Sequence, residues 1–207
     1  MGEMITRGRD PKEVALIASK VLGRGGVIVY PTETIYGIGV DPFDPNALKR
    51  LYGLKGRDRA KPVSIAIGDV KDIPDYAEVS DACKRLIRMF LPGPLTLVLP
   101  VKDKRLRAIG GTIGIRIPQN RMALEIVRAF GPITSTSANP SGEPTPGDIR
   151  GIERMFGDRV DLYIEADEAP IGSPSTVLEC MGASVRVLRE GAISRQEIER
   201  AGVGIHG

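Results

Sequence analysis

DPKEVALIASKVLGRGGVIVYPTETIYGIG, residues 10–39, runs through a helix, a stop, a buried strand and a polar turn in succession. Asp10 and Pro11 read as an N-cap and a first-turn proline, with Glu13 placed to complete a capping box. Val14, Ile17, Ala18, Val21 and Leu22 keep helical spacing, and Gly23, Gly25 and Gly26 end the run. Val27 to Tyr30 is an unbroken apolar stretch that reads as a buried strand. A helix delivered into a buried strand points to an α/β fold.

The rest of the chain repeats that alternation. Asp44-Pro45 starts a second helix with Leu48, Leu51 and Tyr52 on one face; Ser80 caps another, over Ala82, Cys83, Leu86, Ile87 and Phe90, which ends at Pro92. Asn120 caps a helix with Ala123, Ile126, Val127 and Phe130 along one face, Asp148 to Phe156 is helical, and Ser194 with Glu197 forms a capping box near the end. Strands are expected at 63–67, 95–101, 113–117, 133–136, 160–164, 176–178 and 185–188. With no repeat, low-complexity tract or linker, the expectation is α/β: a single domain, an open, twisted mixed sheet with flanking helices.

Composition narrows the chemistry. The 207 residues are 42% hydrophobic and 27% charged, ordinary globular values, and the net charge is only +3. That mild bias suits an anionic small molecule or a weak nucleic-acid contact. No apolar run approaches a bilayer span, and Glu3, Arg7, Arg9 and Asp10 occupy the place of a signal peptide's apolar core, so a cytoplasmic protein with no membrane partner is expected. A single histidine, His206, removes imidazole triads and most zinc or iron sites. Cys83 and Cys180 have no metal spacing and read as core residues. An enzyme built from this inventory works mainly by positioning and electrostatics.

Three stretches carry candidate chemistry. Pro31 to Gly39 follows a buried strand, and extended backbone would turn Thr32 and Thr34 to the same side, where with Tyr36 they could line a small polar pocket at the strand's carboxyl end, although on composition alone an ordinary strand-to-helix loop is the commoner meaning. Lys55, Arg57, Arg59 and Lys61 on a glycine-containing connection suit phosphate, or form a solvated charge run. Neither standard nucleotide loop, G-x-x-x-x-G-K-[ST] or G-x-G-x-x-G, occurs, so an ATP site must use another architecture. Thr134 to Ser137 are four consecutive hydroxyl residues leading into Ala138-Asn139-Pro140-Ser141-Gly142, a dense donor and acceptor cluster or a serine-rich turn. Arg116 and Arg189 interrupt or end apolar strands, where a cation needs a partner: an anion, a salt bridge or solvent.

In order, PTETIYGIG, KGR-x-x-x-KP, PGPLTLVLP, GIRIP, S-T-SAN-x-SG and VLREG resemble the YrdC-like threonylcarbamoyl-AMP synthases from about residue 12 to 200. The Lys55/Arg57 pair combined with the Ser137/Asn139 pair is specific to that superfamily. The resemblance implies a YrdC-like catalytic domain over 12–200, an N-terminal extension over 1–11 and a tail over 201–207. It implies a sheet curved around a basic concave cavity. It also implies condensation of L-threonine, bicarbonate and ATP, with Mg²⁺, to threonylcarbamoyl-adenylate and pyrophosphate, for a downstream transferase complex acting on tRNA.

By the same resemblance Lys55 and Arg57 are catalytic. Thr32, Thr34, Arg116, Ser135 and Ser175 bind threonine, with Arg116 the partner of its carboxylate. Lys55, Arg57, Lys61, Ser137, Asn139, Thr145 and Arg189 bind the nucleotide; no residue is assigned to a metal. Two departures stand out: Ala66 replaces the histidine of some members, and the extra C-terminal domain of longer synthases is missing, which leaves 137–147 or 165–175 to cover the cavity. A YrdC-fold RNA-binding protein, for which aromatics at 4% and no tryptophan are unfavourable, and a paralogue acting on another carbamoyl- or acyl-adenylate substrate are the alternatives.

Overall fold

Most helix starts in this chain are written locally, by a side chain that takes an otherwise orphaned backbone N–H. In the computed structural model, which describes residues 2–56, 63–165, 167 and 170–206, Asp10 accepts from the Lys12 amide, Asp44 from Asn46, Ser80 from Cys83, Asn120 from Ala123 and Asp148 from Gly151. Ser194 and Glu197 close the expected capping box. Glu13 instead lies towards Arg9, 3.9 Å away.

The chain runs β1 (Glu3–Ile5), α1 (Pro11–Leu22), β2 (Ile28–Tyr30), β3 (Gly37–Gly39), α2 (Pro45–Lys55), β4 (Ser64–Ala66), α3 (Ile73–Tyr76), α4 (Asp81–Phe90), β5 (Leu95–Pro100) and β6 (Thr112–Arg116). It continues through α5 (Arg121–Phe130), β7 (Ile133–Thr134), β8 (Thr136–Ser137), α6 (Ile149–Phe156), β9 (Leu162–Ile164), β10 (Thr176–Met181), β11 (Ser184–Arg189), α7 (Arg195–Arg200) and β12 (Ile205–His206). Residues 3–5 thus form an edge strand on β9, and 205–206 one on β11.

The mixed α/β character is as expected, but the strands divide between two sheets. Five strands lie in the order β1-β9-β2-β3-β8 and seven in the order β12-β11-β10-β5-β6-β4-β7, each sheet with parallel and antiparallel pairs. The division falls at Ser135. Residues 133–136 read as one strand by apolar and β-branched content, yet β7 pairs with β4 of the large sheet while β8 pairs with β3 of the small one. Ser135 between them gives its amide to the Ser64 carbonyl at 2.7 Å.

The seam is pinned on either side. Thr134 Oγ1 accepts from the Val40 amide (3.0 Å) and donates to the Ile38 carbonyl (3.1 Å). The Tyr30 hydroxyl donates to the Thr134 carbonyl (3.2 Å), and burial pushes its pKa up to about 12. One core packs α2, α4 and α6, through Leu51, Leu86 and Phe156, with Leu97 and Ile115 of the large sheet. A second joins α1 to α5, through Val14, Ala18, Ala123 and Ile126, over Ile28 and Tyr30. Cys83 and Cys180 are both buried in the first core. Among the described residues no helix is long and apolar enough to cross a membrane.

Candidate active site

The two sheets enclose a cavity of about 410 Å³ along their seam. Its floor comes from adjacent strands of the large sheet: Ser64 on β4, Arg116 on β6, Thr96 and Val98 on β5, Val177 on β10, and Leu188 and Arg189 on β11. Thr32, Ile35, Tyr36 and Gly37 of the β2–β3 connection, Lys55 at the end of α2, and Thr136, Ser137, Asn139 and Ser141 face them. Alternation along β5 places Thr96 and Val98 on one face, and β6 brings Gly114 opposite both Val98 and Ser64. A methyl group at Gly114 would collide with Ser64 Oγ, so glycine is what lets the serine stand on the floor.

Each cation is held by oxygens. Lys55 Nζ donates to the Ser137 carbonyl (2.6 Å), Asn139 Oδ1 (3.0 Å) and Ser137 Oγ (3.3 Å), and the Lys55 carbonyl accepts from the Ser141 amide (2.7 Å). Asn139 Nδ2 in turn donates to the Glu143 carbonyl, which ties the loop to itself. Arg189 Nη2 and Nε donate to the Ser175 carbonyl at 2.8 and 3.2 Å. Ser175 Oγ lies 2.8 Å from Thr96 Oγ1. Burial first, and then the Arg116 charge, lower the Arg189 pKa from the ordinary arginine value. Arg116 thus lies near enough for its charge to be felt at Arg189.

Arg116 Nη2 donates to Thr34 Oγ1 at 2.7 Å and stands 2.9 Å from Glu33 Oε1. Thr32 Oγ1 donates to the Ile35 carbonyl (2.6 Å), so the 2.9 Å contact between the two threonine hydroxyls is donated by Thr34, leaving a Thr34 lone pair for Arg116. The segment 171–172 clamps this turn from outside: the Ile171 and Gly172 amides donate to the Glu33 and Thr34 carbonyls, each at 2.9 Å.

Of the sequence-derived site residues, Thr32, Lys55, Arg116, Ser135, Ser137, Asn139, Ser175 and Arg189 line the cavity together. Thr34 is fully buried behind that lining, braced against Arg116. Thr145 is half-buried in the 137–147 loop and is not part of the lining. Arg57 and Lys61 lie outside the described residues. Ala66 stands opposite Arg116 in the β4–β6 register, fully buried. Both proposed covering segments contribute to the rim, through Ser141 and Gly142 and through Pro174 and Ser175.

Sequence reasoning passed over Ser64 and Thr96, although a hydroxyl within a buried apolar strand is itself a signal, and gave no role to Glu33; Tyr36 and Ser141, read as part of the polar stretches at 31–39 and 134–142, do line the cavity. Among the described lining residues there is no carboxylate, imidazole or thiol. A group of three or more potential metal ligands is likewise absent from the described residues. The wall offers hydroxyl donors and positive charge, which suit anions.

The geometry has relatives. The Sua5–YciO–YrdC family profile, described as telomere recombination, matches residues 20–191. A protein of Mycobacterium tuberculosis named putative threonylcarbamoyl-AMP synthase is 38% identical over 178 residues, covering 84% of this chain and 82% of that protein. The crystal structure of P. abyssi Sua5 complexed with L-threonine superposes with a TM-score of 0.88 at 30% identity, over 100% of this chain and 62% of the other, so this chain spans under two thirds of that protein. E. coli YciO superposes with a TM-score of 0.86 at 27% identity, over 96% of this chain and 100% of the other. The chain belongs to the Sua5–YciO–YrdC family.

Proposed function

We propose that this chain is a nucleotidyltransferase that condenses L-threonine, bicarbonate and ATP into threonylcarbamoyl-adenylate and pyrophosphate, as the precursor for threonylcarbamoyladenosine in tRNA. One observation carries the reading: the cavity at the seam holds Lys55, Arg116 and Arg189 among hydroxyls, with neither a thiol nor an imidazole in its described lining. The proposed reaction needs neither. The threonine amine joins bicarbonate with loss of water, and an oxygen of the resulting carbamate attacks the α-phosphorus as the bond to pyrophosphate breaks. The protein's part is to gather anions, orient them and neutralise charge that develops on phosphate. The name carried by the M. tuberculosis relative and the threonine bound by P. abyssi Sua5 support the same choice.

In this reading Arg116, with Thr32 and Ser135, takes the amino acid at one end of the floor, and Ser175, which stands between Arg116 and Arg189, contributes to the same subsite. Lys55, Ser137, Asn139 and Arg189 take the nucleotide, joined by Arg57, Lys61 and Thr145 on the sequence argument. Mg²⁺ fits as a partner of the triphosphate oxygens, since the described wall has no carboxylate set to hold it; bound there, it neutralises phosphate charge. A transferase complex that acts on tRNA takes the product, and a net charge of +3 leaves room for no more than a weak direct tRNA contact with this chain. A cytoplasmic site of action follows from that substrate.

The small Ala66 beside Arg116 favours one second reading, a paralogous enzyme that accepts a different amino acid. Pyrophosphate release with ATP, Mg²⁺ and bicarbonate across a panel of amino acids separates the two. Release that requires both L-threonine and bicarbonate supports the synthase. Preference for another acid moves the chain to a paralogous activity, and salt-resistant tRNA binding without turnover overturns both.

A further inference from the structure

Glu33 stands behind the floor rather than on it. Its side chain is 12% exposed and that of Arg116 only 6%, which makes theirs a buried ion pair. The hydrogen bonds of Arg116 Nη2 go to Thr34 Oγ1, at 2.7 Å, and more weakly to Thr32 Oγ1, at 3.5 Å. The Glu33 contact has the distance of a hydrogen bond without its angles. Both Glu33 carboxylate oxygens and Arg116 Nε lack a hydrogen-bond partner among the described residues. Thr34 therefore gives Arg116 its direction, while Glu33 supplies charge.

That charge is unevenly placed in the cavity. Arg189, at the other end of the floor, is held by the neutral carbonyl and hydroxyl of Ser175, with no carboxylate against it among the described residues. A cation with a carboxylate at contact distance offers a ligand far less potential than one solvated by neutral oxygens. Arg116 keeps a donor for a ligand: Nη2 is spent on Thr34, Thr32 and Glu33, whereas Nη1 has no hydrogen-bond partner among the described residues, in a residue that lines the cavity. This end can thus hydrogen-bond a carboxylate while presenting little net charge. An amino-acid zwitterion, which brings its own ammonium, fits such an end; a polyphosphate does not.

We propose that Glu33 is a specificity-determining positioning residue: its carboxylate neutralises the Arg116 end of the cavity, so that this end takes an amino acid and polyphosphate is left to the Arg189 end. The inference rests on the synthase reading for the identity of the amino acid, but the charge division can be measured without turnover. The clamp of the Ile171 and Gly172 amides on the Glu33 and Thr34 carbonyls keeps the carboxylate in place.

Glu33→Gln keeps side-chain volume and removes the charge. For the full chain we expect KM for threonine to rise about tenfold with kcat changed less than about threefold, while inorganic pyrophosphate, titrated calorimetrically without ATP, binds about tenfold more tightly. Pyrophosphate should also begin to compete with threonine. Glu33→Asp, which keeps the charge, should restore both values to within about threefold of the parent. A merely structural role weakens both ligands together and lowers Tm.

Opposite movement of threonine and pyrophosphate supports the proposal; equal or weaker pyrophosphate binding in Glu33→Gln overturns it. If the parent protein releases no pyrophosphate with threonine, the synthase reading fails on its own, and the calorimetric comparison still decides the charge division. Loss of the folded state in both Glu33→Gln and Glu33→Ala would assign Glu33 to the scaffold and overturn the proposal.

Discussion

Lys55 shows how one side chain can serve loop geometry and ligand charge together. Its ammonium reaches three oxygens of Ser137 and Asn139, and its carbonyl holds the Ser141 amide. Lys55→Ala removes the charge and the side-chain tether to Ser137 and Asn139 at once, and we expect kcat/KM for pyrophosphate release to fall by at least about a hundredfold. Lys55→Arg keeps the charge but replaces a compact ammonium by a planar fork; a loss above about tenfold is expected in the same assay. Arg116→Ala should act differently, raising KM for threonine by about tenfold or more with a smaller change in KM for ATP. Equal effects on both substrates would contradict the division of the floor. Tyr30 gives a prediction in pH. Its phenol, raised from 10.0 to about 12 by burial, keeps its proton in the fold after the unfolded chain has lost it. The stability it contributes is complete below about pH 10 and is lost as pH rises towards 12, so Tyr30→Phe should flatten that part of an alkaline denaturation profile.

At the scale of elements, helix starts depend on atoms two or three residues apart, and for that reason they are legible in sequence. Asn120 accepts the Ala123 amide at 3.0 Å as the N-cap of α5. Asn120→Ala should lower stability by about 1 kcal/mol in urea denaturation, without altering turnover. Strands depend on partners far along the chain, and legibility drops with that distance. Gly37–Gly39 has no periodicity of its own and becomes β3 only because β2 and β8 lie on either side. Ser135 carries no mark of the break it makes between β7 and β8, since the mark belongs to the pairing partners. The site follows the same rule. The hydroxyl cluster at 134–137 and the Lys55 region were visible as local runs, whereas Thr96 and Ser175 meet across 79 residues and Glu33 finds Arg116 only in the folded molecule. Gly114 belongs here too: Gly114→Ala drives a methyl into Ser64, and we expect about 1–3 kcal/mol of destabilisation, seen as a lower Tm, together with weaker threonine binding.

Across the whole molecule, the α/β class and the mixed pairing followed from helix and strand alternation, but the number of sheets did not. Two sheets meet where one short ribbon, 133–137, changes allegiance, and the cavity occupies that line. The floor belongs to the larger sheet, while much of the facing wall hangs from the smaller one through β8 and the β2–β3 turn. Any molecule filling the cavity therefore touches both halves at once and acts as a removable strut between them. Its grip is felt along the full length of the joint, well beyond the atoms it contacts. Amides of β4 and β6 on one side, and of β3 and β8 on the other, should slow their hydrogen exchange together when the cavity fills, to a degree set by ligand concentration over its dissociation constant. Read in reverse, slackening the joint at Ser135 loosens the hold on a ligand even at lining residues far from that serine.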